Sequence, residues 1–170
     1  MSPLRIRAAG PADHDLLAGL LRGLSAESAY LRFQTGIGRE PAASVVAALL
    51  PDGLRGAALL AFAGDRLVAH GMWARVGAAP VAEVALLVVD SHQGLGIGTA
   101  LADALVADLG ARGLERIEVY ASATNTAVAR MVARQAPDAV RDRDGATVTY
   151  GFHLPARPPA VAMEASRVVA

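Results

Sequence analysis

Residues Glu83–Leu101 read EVALLVVDSHQGLGIGTAL, and this stretch decides how the rest of the chain is read. Val84–Val89 is an unbroken apolar run, with the length and composition of a strand buried on both faces. Asp90, Ser91 and His92 break that run with turn chemistry. Gln93, Gly94, Leu95, Gly96, Ile97 and Gly98 follow, and Thr99, Ala100 and Leu101 open a helical pattern. A strand that delivers a glycine-rich turn onto a helix N-terminus makes an anion site. The first N–H groups of the helix lack intrahelical partners, and glycines let a phosphate approach the backbone closely. A phosphorylated ligand is expected here.

Three phosphate motifs compete for the turn. A P-loop needs a lysine after its last glycine, and the chain contains no lysine. The dinucleotide fingerprint ends on glycine or alanine, whereas here that position is Thr99 counted from Gly94, or Leu101 counted from Gly96. The third pattern, Q/R-x-x-G-x-G/A, is met by Gln93, Gly96 and Gly98. It resembles the acyl-CoA pyrophosphate loop of the GNAT acetyltransferase family.

Composition sets the outer bounds. A chain of 170 residues suits one domain with a substantial core. Sixteen arginines balance sixteen acidic residues, so no polybasic footprint points to nucleic acid or to an anionic membrane. The longest apolar runs, such as Gly56–Ala63, are far short of the roughly 18 residues that span a bilayer. MSPLRIRAAG lacks the apolar stretch of a signal peptide, so a soluble cytoplasmic protein is expected. Without cysteine there is no disulfide, thiolate ligand or cysteine nucleophile. His14, His70, His92 and His153 match no metal spacing, and no metal is expected. The bland reading of each histidine is a surface or satisfied core residue. His92, beside the loop, and His70, on a strand approaching it, hold more interest.

Taken in order, Leu4–Ala8 alternates apolar residues with arginine, as a strand with one wet face does. Pro11 starts a helix with Asp13 and Asp15 in its first turn, and Leu16, Leu17, Leu20, Leu21 and Leu24 form its core stripe. Ser25 is an N-cap for a second helix over Ala26–Phe33, and Ala42–Leu50 is a third, stopped by Pro51. Gly56–Ala63 and Arg66–Val76 flank a Gly64-Asp65 hairpin turn, and Gly77–Pro80 leads into the organising strand. Short connections make these three strands an antiparallel meander. A helix over Gly98–Arg112 is followed by a strand over Leu114–Tyr120, which a crossover makes parallel to the organising strand. A helix ending at Gln135 and a hairpin around Asp144-Gly145 complete the domain, 1–154, before a Pro- and Ala-rich tail, 155–170.

This order of elements is similar to the GNAT fold. That fold is α/β (α+β), a mixed and mostly antiparallel central sheet of about seven strands flanked by helices. The resemblance implies that acyl-CoA lies in the splay between two central strands. Carried over, Leu87, Val88 and Val89 supply backbone contacts to the pantetheine arm. Gln93, Gly94, Leu95, Gly96, Ile97, Gly98 and Thr99 hold the pyrophosphate. LSAESAYLRF, residues 24–33, resembles a run in bacterial protein-lysine-acetylating members, where it flanks the acceptor side. The simpler reading makes Tyr30, Leu31 and Phe33 core anchors. The family's N-x-x-A-x-x-L-Y is met at Asn125, but its alanine and leucine become Val128 and Met131. Its tyrosine, the usual general acid, falls on Val132, and a later Gly–Phe pair is replaced by Ala136 and Pro137.

The implied chemistry moves an acetyl group from acetyl-CoA to a primary amine. A lysine pKa near 10.4 leaves about one amine in 2,500 neutral at pH 7, so a base is needed. Glu83 is the only charged residue between Arg75 and Asp90, and the protein-acetylating branch resembles AEVALLV with a glutamate base. Its alternative is an exposed glutamate at a strand start. N–H groups near Leu87 and Val88 would polarise the thioester carbonyl. Ser122, Thr124 and Asn125 are possible donors to the departing thiolate, with Asn125 equally readable as an N-cap. With no cysteine to carry the acyl group, direct attack in a ternary complex is expected. No acidic cluster marks 26–51 for a polycation, which tilts the acceptor toward protein lysine or a neutral amine. The chain would act as a monomer or homodimer. The other reading is a catalytically weak acyl-CoA-binding or interaction module, favoured by the missing tyrosine.

Overall fold

In a computed structural model describing residues 3–155, the elements follow the expected order. β1 is Leu4–Ala9, α1 His14–Arg22, α2 Ala26–Phe33 and α3 Ala43–Ala48. β2 is Gly56–Ala63, β3 Arg66–Arg75, β4 Val81–Val88 and α4 Ile97–Ala111. β5 is Arg116–Ser122, α5 Thr126–Gln135, β6 Val140–Asp144 and β7 Thr147–His153. Of the expected tail, 155–170, residues 156–170 lie outside the described residues. No helix among the described residues is long and apolar enough to cross a membrane.

The strands form one seven-stranded sheet in the order β1-β2-β3-β4-β5-β7-β6. Every neighbouring pair is antiparallel except β4–β5, which is parallel across the α4 crossover, as the connection lengths require. The core is continuous around Leu17, Leu60, Val68, Trp73, Leu101, Leu105, Leu109 and Ile117, all fully buried. α4 lies close on the sheet because position 71 has no side chain. A Cβ on Gly71 would stand 2.8 Å from a Leu105 methyl and 3.1 Å from Leu101 Cγ. Trp73 anchors the same helix by donating Nε1–H to Asp108 at 2.7 Å.

Several boundaries and faces differ from the sequence expectation. The organising strand begins at Val81 rather than Val84, and Ala85, Leu86 and Val88 are half-buried instead of buried on both faces. The cause is the neighbouring strand, which leaves β4 part-way along and converts a sandwiched run into the wall of a groove. β5 begins two residues later than Leu114, whose N–H instead bonds back to Leu109 O and finishes the helix. Leu16 is 41% exposed, so the α1 stripe is carried by Leu17, Ala18, Leu20 and Leu21. Tyr30 is no core anchor: it is 52% exposed, and Ala29 is the buried residue of α2. An eight-residue helix resting on a sheet buries a narrow stripe, and small Ala29 lets it sit close.

Candidate active site

The groove follows from where strand pairing stops. β4 and β5 are in register only at Val81–Arg116, Ala82–Ile117 and Glu83–Glu118. Beyond Glu83, β4 stays paired to β3 as far as Val88, and β5 stays paired to β7 as far as Ser122. The two strands therefore diverge, leaving facing backbone edges without a ladder partner. Between them opens a groove of about 670 Å³, a volume typical of small-molecule sites. Leu86, Leu87 and Val88 form one wall, and Val119 and Ala121 the other. Leu31 and Arg32 of α2 close one side, and Asn125, Val128 and Met131 around α5 the opposite one.

At one end lies the glycine loop. Gly94 and Gly96 have φ of 74° and 81°, a left-handed conformation that disfavours any side chain. Gly96 is the N-cap of α4 and offers no capping side chain. Among the described residues, the N–H groups of residues 94 to 99 find no acceptor within the protein. A row of uncommitted donors at a helix N-terminus is an anion cradle. Gly98 is small for a different reason: a Cβ there would sit 3.2 Å from Met131 Cε and 3.6 Å from Val88 Cγ2. Its absence lets α4, α5 and β4 meet at the groove floor.

Side chains brace this loop from outside. Gln93 donates Nε2–H to Val88 O at 3.0 Å and to Ser28 Oγ at 3.1 Å, so its amide serves the protein itself. Asp90 accepts from Ser25 Oγ at 2.7 Å, Ser28 Oγ at 2.8 Å and Ser25 N–H at 3.2 Å. These bonds, led by that from the Ser25 hydroxyl, hold its carboxyl below the usual carboxylate range. Ser25 also caps α2 by accepting from Ser28 N–H at 3.1 Å, as expected. The start of α2 is thus clamped to the loop. Arg130 and Arg134, one helical turn apart on α5, add positive charge to the groove lining.

The other end is built from side chains. Glu83 is exposed, stands at the last β4–β5 pair opposite Glu118, and lies outside the groove lining proper. Arg32 does line the groove; burial pushes its guanidinium pKa down, and the charge of Glu83 partly offsets that. Behind it, His70 is fully buried with Nε2 2.7 Å from Leu49 O, which assigns the proton to Nε2. Burial lowers its pKa to about 4, against the hydrogen bond to Leu49, so the ring is neutral at pH 7.

The remaining sequence candidates divide. Asn125 lines the groove while its Oδ1 caps α5 by accepting from Val128 N–H at 3.1 Å. Ser122 is buried and turned into its own turn, bonded to Thr124 Oγ1 at 2.8 Å. Val89 and Ile97 are buried and Leu95 is exposed, so none of the three lines the groove. His92 lines it, beside Gln93. Sequence reasoning missed Arg32, Tyr120 and the arginines of α5. Tyr120 is half-exposed and brings a phenol to the groove, whereas Val132, at the motif's tyrosine position, is buried. The i,i+4 spacing of Arg130 and Arg134 on one helix is the signal in the sequence that could have marked them.

A model of the acetyltransferase (GNAT) family matches residues 27–136, more than half of the chain. The chain belongs to the GNAT family. It is an acyltransferase. Among solved structures, the GNAT domain of PAT from S. lividans is 26% identical with a TM-score of 0.80, over 89% of this chain and 90% of that one. A cAMP-binding acyltransferase from Mycobacterium smegmatis is 25% identical with a TM-score of 0.61, covering 90% of this chain but only 44% of its own. YncA from Salmonella typhimurium, solved with acetyl-CoA, shares the GNAT fold at 15% identity and a TM-score of 0.69, over 91% of this chain and 95% of that one. No curated protein matches the sequence.

Proposed function

We propose that this GNAT protein transfers an acetyl group from acetyl-CoA to a primary amine, on a protein lysine or a small molecule, by direct attack in a ternary complex. The observation that carries this reading is the splay of β4 from β5 ending on a loop whose N–H groups have no internal acceptor. Gly94–Thr99 would hold the pyrophosphate, aided by the charge of Arg130 and Arg134. The free edge of β4 at Leu87 and Val88 would pair with the amide-rich arm and polarise the thioester carbonyl. Glu83, beside the point of divergence, would take the amine proton through water. As the C–N bond forms and the C–S bond breaks, one proton leaves the nitrogen and the sulfur departs as a thiolate. Asn125 and the hydroxyl of Tyr120 line the groove and would donate to the thiolate. Ser122, turned away, is the weakest of the donors.

One observation favours a second reading, a binding module of low activity: Val132 presents no hydroxyl where the motif has tyrosine. An acceptor screen decides between them. CoA release from acetyl-CoA, measured with lysine peptides and with small amines, should rise above the amine-free rate for at least one acceptor. Acetyl-CoA binding with no acceptor-dependent release in either group would favour the module.

A further inference from the structure

Arg32 lines the groove, and the acetyl-transfer reading gives it no work. Its Nε is sealed from solvent and has no hydrogen-bond partner, and among the described residues its guanidinium forms no ion pair. The compensation it has is the Phe33 ring, 4.9 Å from its Cζ, and the charge of Glu83, which forms no ion pair with it. His70, which also faces it, is neutral and brings no negative charge. A half-buried cation with no ion-pair partner gives up part of its hydration, and guanidinium does not escape that cost by losing its proton at neutral pH. Such a group is retained where something else brings the anion.

The surroundings specify which anion. A planar fork of donors matches a carboxylate in two parallel hydrogen bonds. Glu83 close by disfavours a polyanion such as phosphate, and the uncommitted donors for phosphate lie in the glycine loop. Glu83 and Arg32 together present a negative and a positive group beside the point where the strands part. That arrangement complements a substrate carrying an amine and a carboxylate a few bonds apart.

We propose that Arg32 forms a carboxylate-binding subsite, so that one of the two reactants carries a carboxylate next to the reacting atoms. The carboxylate sits either on the amine, as in an α-amino acid, or on the acyl chain, as in a dicarboxylic acid thioester. This rests on the acyl-transfer reading of the groove and narrows its substrates.

Calorimetry on the full chain tests both sources. In the acyl arm, succinyl-CoA is titrated against acetyl-CoA. In the acceptor arm, with CoA saturating, the common α-amino acids are titrated against their carboxamides. In one arm the carboxylate should bind wild type about 10–100-fold more tightly than its neutral counterpart, as one bidentate charge-assisted pair implies. In Arg32→Gln that ratio should fall below about threefold. Arg32→Met, close in length and uncharged, should melt at a higher temperature than wild type, because it removes a half-buried charge that has no ion-pair partner. Equal binding in both arms, or a preference that survives Arg32→Gln, would overturn the subsite. A lower melting temperature for Arg32→Met, or failure of both variants to fold, would also overturn it by showing that the charge is needed inside the protein. Wild type that binds no CoA at all would instead remove the acyl-transfer reading, and this proposal with it.

Discussion

The two ends of the groove are built from different materials. At the loop end the working groups are backbone N–H donors, set by the left-handed turns at Gly94 and Gly96, and the nearby side chains of Gln93 and Asp90 serve as braces. At the other end the proposed working groups are the side chains of Arg32, Glu83 and Tyr120, carried by α2, β4 and β5. A backbone site is indifferent to side-chain identity provided the glycines remain, which suits a ligand portion shared by every reaction the family performs. A side-chain site can be altered residue by residue, which suits the part of the reaction that differs between members. Damage should therefore separate: one end loses affinity for CoA, the other turnover or the choice of reactant.

The largest separation is expected at Glu83. Glu83→Gln keeps size and hydrogen bonding but removes basicity, so turnover should fall about 10²–10⁴-fold. Affinity for CoA should hardly move. The loss should shrink as pH rises and more of the acceptor is already neutral. Steady-state rates against pH for both proteins, corrected for folded fraction, check this; a loss below about threefold would remove Glu83 from the chemistry. Gly96→Val attacks the opposite end. A Cβ at φ of 81° is strained although no neighbouring atom lies within 4 Å, so the turn must change while the core does not. Losing two backbone bonds to a phosphate group, each worth about 1.5–3 kcal/mol, should weaken CoA binding at least about 100-fold. Unchanged affinity in a folded variant would reduce the loop to a tight turn.

The smallest effect is on stability and concerns the scaffold of the side-chain end. His70 has a pKa of about 4 in the folded protein, against roughly 6.5 unfolded. Between those values the unfolded chain binds more protons, so stability is complete above pH 6.5 and declines as pH falls toward 4. The loss is on the order of 3 kcal/mol, and it levels off below pH 4. Urea titrations at pH 7 and pH 4.5 should show the slope in wild type and not in His70→Gln. A slope retained by the variant would place the acid sensitivity elsewhere.

The same contrast governs what could be read from the chain. The conformation of the loop was legible because its constraint is local: glycines between a strand run and a helix pattern leave few conformations. Strand order and the parallel β4–β5 pair were legible because connection lengths limit topology. At the side-chain end only Glu83 was singled out, since the approach of Arg32 to it depends on how α2 lies across the sheet. The clamp from Asp90 to Ser25 joins residues 65 positions apart, and its members looked only like a turn residue and a helix cap. The exposure of Tyr30 was misjudged because apolar spacing on a short helix does not say how much of its circumference the sheet covers.

Gly71 bears on this arrangement from outside it. It touches no part of the groove, yet the missing methyl on β3 sets how closely α4 approaches the sheet, and the first turn of α4 is the anion cradle. Residue 71 therefore acts as a spacer: an added Cβ would meet the Leu105 and Leu101 side chains, and any part of the clash they do not absorb would push the helix, and the cradle with it, away from the sheet. The position of the site can be reset from the middle of the core, with every residue that lines it left unaltered.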